Sequence, residues 1–251
     1  MKQANVIETK KSGDSVVYQV PGAFALLFVV LVALRRIGAY YGTVDGFQPV
    51  LYATRKLVWV FAALTVVCLA GAIFGKKTWM RAVGRYGAVL MALALVSAFV
   101  LSKYWTAKLL FLYLLHTVVY CLYMVWQLYH SEFFTFSLVT ASAGVVFYLI
   151  ARTSYMANRI VGSILLALIL IGTALTVFLC AKNRGKLSLD GRTLRLFPDG
   201  FNPLLFYFIC VLWAVVLAAC LLFGSGFAFY AMFAAIAVEL IGAVYYTFQL
   251  K

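Results

Sequence analysis

The chain has 251 residues, of which 66% are apolar and only 11% charged, and its formal net charge is +14. Soluble domains carry about 45–50% apolar and about 25% charged residues, so too few polar side chains are present to coat a water-soluble fold, and the expected solvent is lipid. The positive charge does not mark a nucleic-acid binder: the 21 Lys and Arg are scattered over many short loops, where each contributes about 1 kcal/mol near anionic headgroups.

A bilayer core about 30 Å thick asks for about 20 mostly apolar residues per helix, and each spanning backbone must satisfy its own hydrogen bonds. Eight stretches meet or approach this, at 16–34, 57–74, 86–101, 109–128, 133–151, 160–181, 203–223 and 227–248. The first is the weakest, since Gln19 and Pro21 leave an apolar run only from Ala23 to Leu34, followed at once by Arg35 and Arg36. No small-residue cleavage site follows it, so it reads as an uncleaved helix rather than a signal peptide. The predicted fold is all-α: a polytopic integral membrane helix bundle of eight transmembrane helices, with short loops and a cytoplasmic tail at 1–15. Residues 16–251 are expected to form one transmembrane domain. With the N-terminus inside, thirteen Lys and Arg fall on inner segments and eight on outer ones, which favours both termini in the cytoplasm; the plasma membrane is the expected location. The four prolines, at 21, 49, 198 and 203, are expected to interrupt no span, which argues against the unwound half-helices of ion-coupled transporters.

The fourth span carries a polar stripe. Tyr113, His116, Tyr120, Tyr123, Gln127 and His130 follow one another in steps of three and four, so they share one side of a helix. Unpaired imidazole and amide groups are costly in hydrocarbon, so His116 and Gln127 are expected to turn inward. The fifth span follows after a short connection and offers Ser137, Thr140, Ala141 and Gly144 at helical spacing. Small residues let helices approach closely and hydroxyls bond across the gap, so this face is expected to meet the fourth span. It serves either as packing or as one wall of a solute or proton path.

Residues 186–196, KLSLDGRTLRL, alternate in period two around Asp190–Gly191, a pair suited to a tight hairpin turn. The loop 182–202 is therefore expected to hold a small cytoplasmic β-hairpin, with Lys186, Arg192 and Arg195 available to dock a partner or headgroups.

Glu239 is the single acid deep within a span. A charged acid there costs about 2.5–3.5 kcal/mol even on lenient insertion scales. Ala231, Ala235 and Ala243 lie at four-residue intervals from it, a packing stripe that turns Glu239 toward protein, while Phe233, Ile236, Leu240 and Val244 face lipid. His116 and the tyrosines are its expected partners. The five cysteines lie in apolar runs without metal-ligand spacing, and no HExxH, GxSxG, P-loop or GxGxxG motif occurs, so no metal, cofactor or catalytic centre is expected.

Two functions fit these features. The leading expectation is a membrane protein that moves a small or amphipathic solute, or protons, along Tyr113, His116, Tyr120, Tyr123, Gln127 and Glu239. The alternative is a non-catalytic subunit or scaffold of a larger membrane complex, whose partners are another membrane protein or a second copy of the chain. The first requires water to reach Glu239; the second requires Glu239 or a small-residue face left open on the monomer.

Overall fold

The computed structural model describes residues 13–152, 156–183, 185–189, 192–198 and 201–249. Among these residues eight α-helices follow in order: α1 (Gly13–Tyr41), α2 (Val44–Phe74), α3 (Thr78–Tyr104), α4 (Leu109–Leu128), α5 (Ser131–Arg152), α6 (Met156–Lys182), α7 (Pro203–Phe223) and α8 (Ser225–Gln249). Between α6 and α7 a short antiparallel ladder pairs Lys186–Leu189 (β1) with Arg192–Arg195 (β2), Lys186 opposite Arg195 and Leu189 opposite Arg192. The Asp190–Gly191 pair expected to make its turn lies outside the described residues.

Among the described residues seven helical stretches are long and apolar enough to cross a membrane, against the eight expected. The difference arises at residues 105–108. The sequence reads them as part of a loop, but they form a 3-10 turn that joins α3 to α4 in one helical stretch, Thr78–Leu128, of 51 residues. Such a stretch drawn straight would measure about 76 Å, and the chain does not run straight through it. Ser97 Oγ and His116 Nε2, 19 residues apart, lie at 3.3 Å, whereas a straight helix would separate them by about 28 Å. The chain therefore doubles back, and Trp105 at the bend has a positive φ of 49°.

The early helices are longer than hydropathy predicts. α1 continues through Arg35 and Arg36 to Tyr41, and α2 begins at Val44, so most of the expected loop before residue 57 is helical. Pro21 lies within α1, as its place in the stretch 16–34 implies, and the longer α2 takes in Pro49; both helices run on through their proline, although each proline removes one backbone donor. Hydropathy stops counting at the first charges, whereas a helix continues for as long as one of its faces finds a core. Here Leu34, Tyr41 and Leu51 are buried with Leu101 and Leu112. The Tyr41 hydroxyl lies 2.8 Å from Thr54 Oγ1 and donates to the Leu101 carbonyl at 3.3 Å. Thr43 caps α2 by accepting from the Gly46 N–H at 3.2 Å, which satisfies one donor at the helix start.

The described residues fall into two compact units, one over Pro21–Tyr120 and one formed from Cys121 onward together with the first turns of α1. Uniform hydropathy contains no linker to mark such a division. In the first unit α2 and α3 meet backbone to backbone: a methyl on Gly84 would overlap the Ala72 nitrogen and lie 2.8 Å from the Gly71 carbonyl carbon. In the second unit α5 packs against α6, α7 and α8, around a core that includes Phe133, Phe147, Phe206 and Trp213. Asn202 caps α7 by accepting from the Leu204 N–H at 3.0 Å, with Pro203 at the first helical position. Only Gly224, at φ +83°, separates α7 from α8, a left-handed conformation that glycine adopts without the Cβ penalty.

Candidate functional site

Within the second unit, the centre of interest is the contact of α5 with α8. Gly144 has no side chain, and a Cβ built there would sit 3.5 Å from the Ala235 methyl. Ala231 and Ala235 are buried, Ala243 is half-buried, and Ser137 and Thr140 are each only 1% exposed. This close approach brings the Ser137 hydroxyl to Glu239, where it donates to Oε1 at 2.5 Å. The other carboxyl oxygen, Oε2, is sealed from solvent and is the one buried side-chain nitrogen or oxygen among the described residues with no hydrogen-bond partner. Native proteins satisfy nearly all buried polar atoms, so each exception calls for an explanation. Phe233, Ile236, Leu240 and Val244, on the opposite side of α8, are all more than half exposed.

The small face of α5 therefore meets α8 and α7, where the sequence reading set it against α4. Thr140 supports the arrangement from behind, because the Trp213 indole N–H of α7 donates to its Oγ1 at 3.4 Å. Trp213 is 1% exposed and stacks at a tilt beside Phe147, 5.8 Å between ring centroids. An interhelical bond of this kind contributes about 0.6 kcal/mol on average, and trimming a large buried side chain adds a cavity cost. Trp213→Phe is therefore expected to cost about 1–2 kcal/mol in a reversible unfolding titration in mixed micelles. An unchanged midpoint would show that the indole N–H contributes nothing to the packing.

In the other unit, His116 is 6% exposed and fully engaged. Its Nδ1 lies 2.8 Å from the Leu112 carbonyl, and since a carbonyl only accepts, Nδ1 bears the hydrogen. Its Nε2 lies 3.3 Å from Ser97 Oγ, and the Ser97 hydroxyl also donates to the Leu93 carbonyl at 2.8 Å. Neutral imidazole with its hydrogen on Nδ1 can accept at Nε2, and the single hydrogen of the Ser97 hydroxyl goes either there or to the Leu93 carbonyl. Ser97→Ala is expected to cost about 1 kcal/mol, and that cost should vanish in a His116→Ala background if the pair is what Ser97 supplies.

Within the rest of the fourth-span stripe, Gln127 and Tyr123 bond to each other. Gln127 is buried, and its amide donates to the Tyr123 hydroxyl at 2.7 Å. Tyr113 is half-buried against the core of the first unit. Tyr120 is half-buried beside Phe24, with ring centroids 6.1 Å apart, and His130 is exposed. Within their own units the partner of Glu239 is Ser137 and the partners of His116 are Ser97 and Leu112. Lys186 is exposed, while Arg192 and Arg195 are placed only by their strand register. Among the described residues no three of His, Cys, Asp and Glu gather as a metal site would require.

Three residues of this geometry escape sequence reasoning. Ser97 and Trp213 hold His116 and Thr140, and Ser137, legible as a small packing residue, is the hydrogen-bond donor to the intramembrane acid. Their pairings span 19, 73 and 102 residues. No helical periodicity reaches across the longer two, and the first depends on the bend at Trp105.

Together the apolar helices and their packing define a helical protein of membrane type. Comparison of the chain with protein-family models, with curated proteins and with solved structures finds no match.

Proposed function

We propose that this is a multi-pass membrane protein that moves protons, alone or with a small or amphipathic solute, through a site centred on Glu239. The observation that supports the reading is the unpartnered, sealed Glu239 Oε2 beside a carboxyl oxygen that Ser137 already engages. An ionisable group inside a span is expensive to keep, and such groups mark proton and solute pathways. In the present conformation Oε2 is closed to water, so transport on this reading requires α5 and α8 to part, with the small residues between them allowing one helix to slide on the other. On this reading His116, Tyr113, Tyr120, Tyr123 and Gln127 contribute the further polar groups of the path.

On this reading the Thr78–Leu128 stretch contributes two antiparallel spans, for a total of eight, because its fold-back at Trp105 is flanked by Lys103 and Lys108, residues suited to a membrane interface. Both termini and the β1–β2 ladder then lie in the cytoplasm, where Lys186, Arg192 and Arg195 contact headgroups or an acidic partner. The alternative role, as a subunit of a larger complex, requires small-residue faces free for another helix. Gly71 with Gly84, and Gly144 with Ala235, are instead occupied within this chain.

The experiment is reconstitution of the purified protein into liposomes that enclose a pH-sensitive dye, with a potassium–valinomycin potential as driving force. Internal acidification faster than in protein-free liposomes is expected. Rates equal to the protein-free control would overturn proton movement, and a stoichiometric protein retained through mild-detergent purification would favour the subunit role.

A further inference from the structure

The Glu239 site could in principle take a proton or a metal cation, and its surroundings discriminate between them. We infer that the ligand of the Glu239–Ser137 pair is a proton and not an alkali or alkaline-earth ion. The inference deepens the reading of Glu239 as a transport site and rests on it for its functional meaning.

A cation leaves water only where protein oxygens replace its hydration shell; calcium, for example, takes about 6–8 oxygens. The contact of α5 with α8 supplies three: the two carboxyl oxygens of Glu239 and the Ser137 hydroxyl. The next hydroxyl along α5, Thr140, already accepts from Trp213. Backbone carbonyls are no substitute, because α5 and α8 run as unbroken α-helices without an internal proline, and their carbonyls are engaged along each helix. A proton needs no such shell. It needs one basic oxygen with a free lone pair, and Oε2 is that atom: Ser137 donates to Oε1 and leaves Oε2 as the position for the hydrogen.

The surrounding helices provide no fixed counter-charge that would hold the site permanently ionised. α8 has no other charged residue, α7 has none, and α5 carries only Glu132 and Arg152, at its two ends. On the part of α4 in this unit there is none, and the Cys121 thiol is the titratable group that interacts electrostatically with Glu239. The remaining titratable groups on these helices are cysteines and tyrosines, among them Cys210 and Cys220 of α7 and Tyr246 of α8. The charge of Glu239 is therefore governed by proton occupancy rather than by a neighbouring Lys or Arg.

The test uses a hydrophobic carbodiimide on the full-length protein in liposomes. The reagent adds to a protonated carboxyl: the acid hydrogen passes to a carbodiimide nitrogen as a carboxyl oxygen bonds the central carbon, and the resulting O-acylisourea rearranges to a stable N-acylurea. Peptide mass spectrometry is expected to find the adduct at Glu239. Its rate should fall about tenfold per pH unit on the alkaline side of the titration and be the same in sodium, potassium, calcium or choline chloride. Ser137→Ala, which removes a donor to the carboxylate, should move that profile to higher pH. Protection by sodium or calcium relative to choline would overturn the inference, as would labelling that is absent or does not change with pH. Glu239→Gln should abolish the adduct; if that variant fails to fold, the salt competition on the unmodified protein decides alone. Labelling reports proton occupancy without flux, so a labelled but non-conducting protein would overturn the transport reading and leave this inference standing.

Discussion

Gly84→Leu is expected to separate α2 from α3 and to be the most destabilising single substitution in the unit Pro21–Tyr120. The reason is the nature of the neighbouring atoms. A Cβ at Gly84 would overlap the Ala72 nitrogen and approach the Gly71 carbonyl carbon to 2.8 Å and the Ala72 Cα to 2.9 Å. All three are backbone atoms, which no rotamer change can move aside. Overpacking a close-fitting contact costs about 1–3 kcal/mol; Gly84→Ala should fall in that range and Gly84→Leu at or beyond its upper end. Lipid provides no hydrophobic force to press the helices together again, since apolar side chains gain as much from acyl chains as from one another. Gly172→Ala is the matched control, because a Cβ there meets nothing within 4 Å; it should be neutral or stabilising by about 0.5–1 kcal/mol. Unfolding titrations of the three variants in mixed micelles check the order, and equal midpoints for Gly84→Leu and Gly172→Ala would refute the backbone-to-backbone packing.

The second large effect concerns function. Glu239→Gln keeps the shape of the side chain and an oxygen that can accept from Ser137, while removing the exchangeable proton. Removing a group that hands on a proton costs about 100-fold or more where that transfer is required, so dye-reported proton entry into liposomes should fall to near the protein-free rate. Stability should change little, because the Ser137 bond has an acceptor in both proteins. Glu239→Leu removes the unsatisfied oxygen but also the acceptor of the buried Ser137 hydroxyl, so the two effects on stability oppose each other while flux is again abolished. Retention of flux in either variant, with normal folding, would remove Glu239 from the path and the proposed function with it.

Much of the site was legible at the level of single residues. Glu239 stands out because an acid amid apolar residues is anomalous on its face, and its orientation followed from the alanines at four-residue spacing, since that spacing places them on the same helix face. The exposed positions of Phe233 and Leu240 have the same origin. Local periodicity cannot report which helix lies opposite that face. The short α4–α5 connection pointed to α4 as the neighbour of Ser137 and Thr140, whereas α5 presents those residues to α8 and α7. Sequence adjacency fixes only where a helix begins, and a central helix with several apolar sides can present its small residues to any neighbour that fits.

Composition and hydropathy by themselves determined that the chain is helical and of membrane type, because a backbone without water must bond to itself and 66% apolar side chains have no aqueous alternative. They also singled out the one acid that lipid would not tolerate unshielded. Tertiary structure alone decided where the early helices end, that Thr78–Leu128 doubles back at Trp105, that Ser137 engages Glu239, and that Oε2 is left without a partner. Each of these depends on which surfaces interlock across tens of residues. Such contacts are set by shape and by the satisfaction of individual polar atoms, neither of which leaves a periodic trace along the chain.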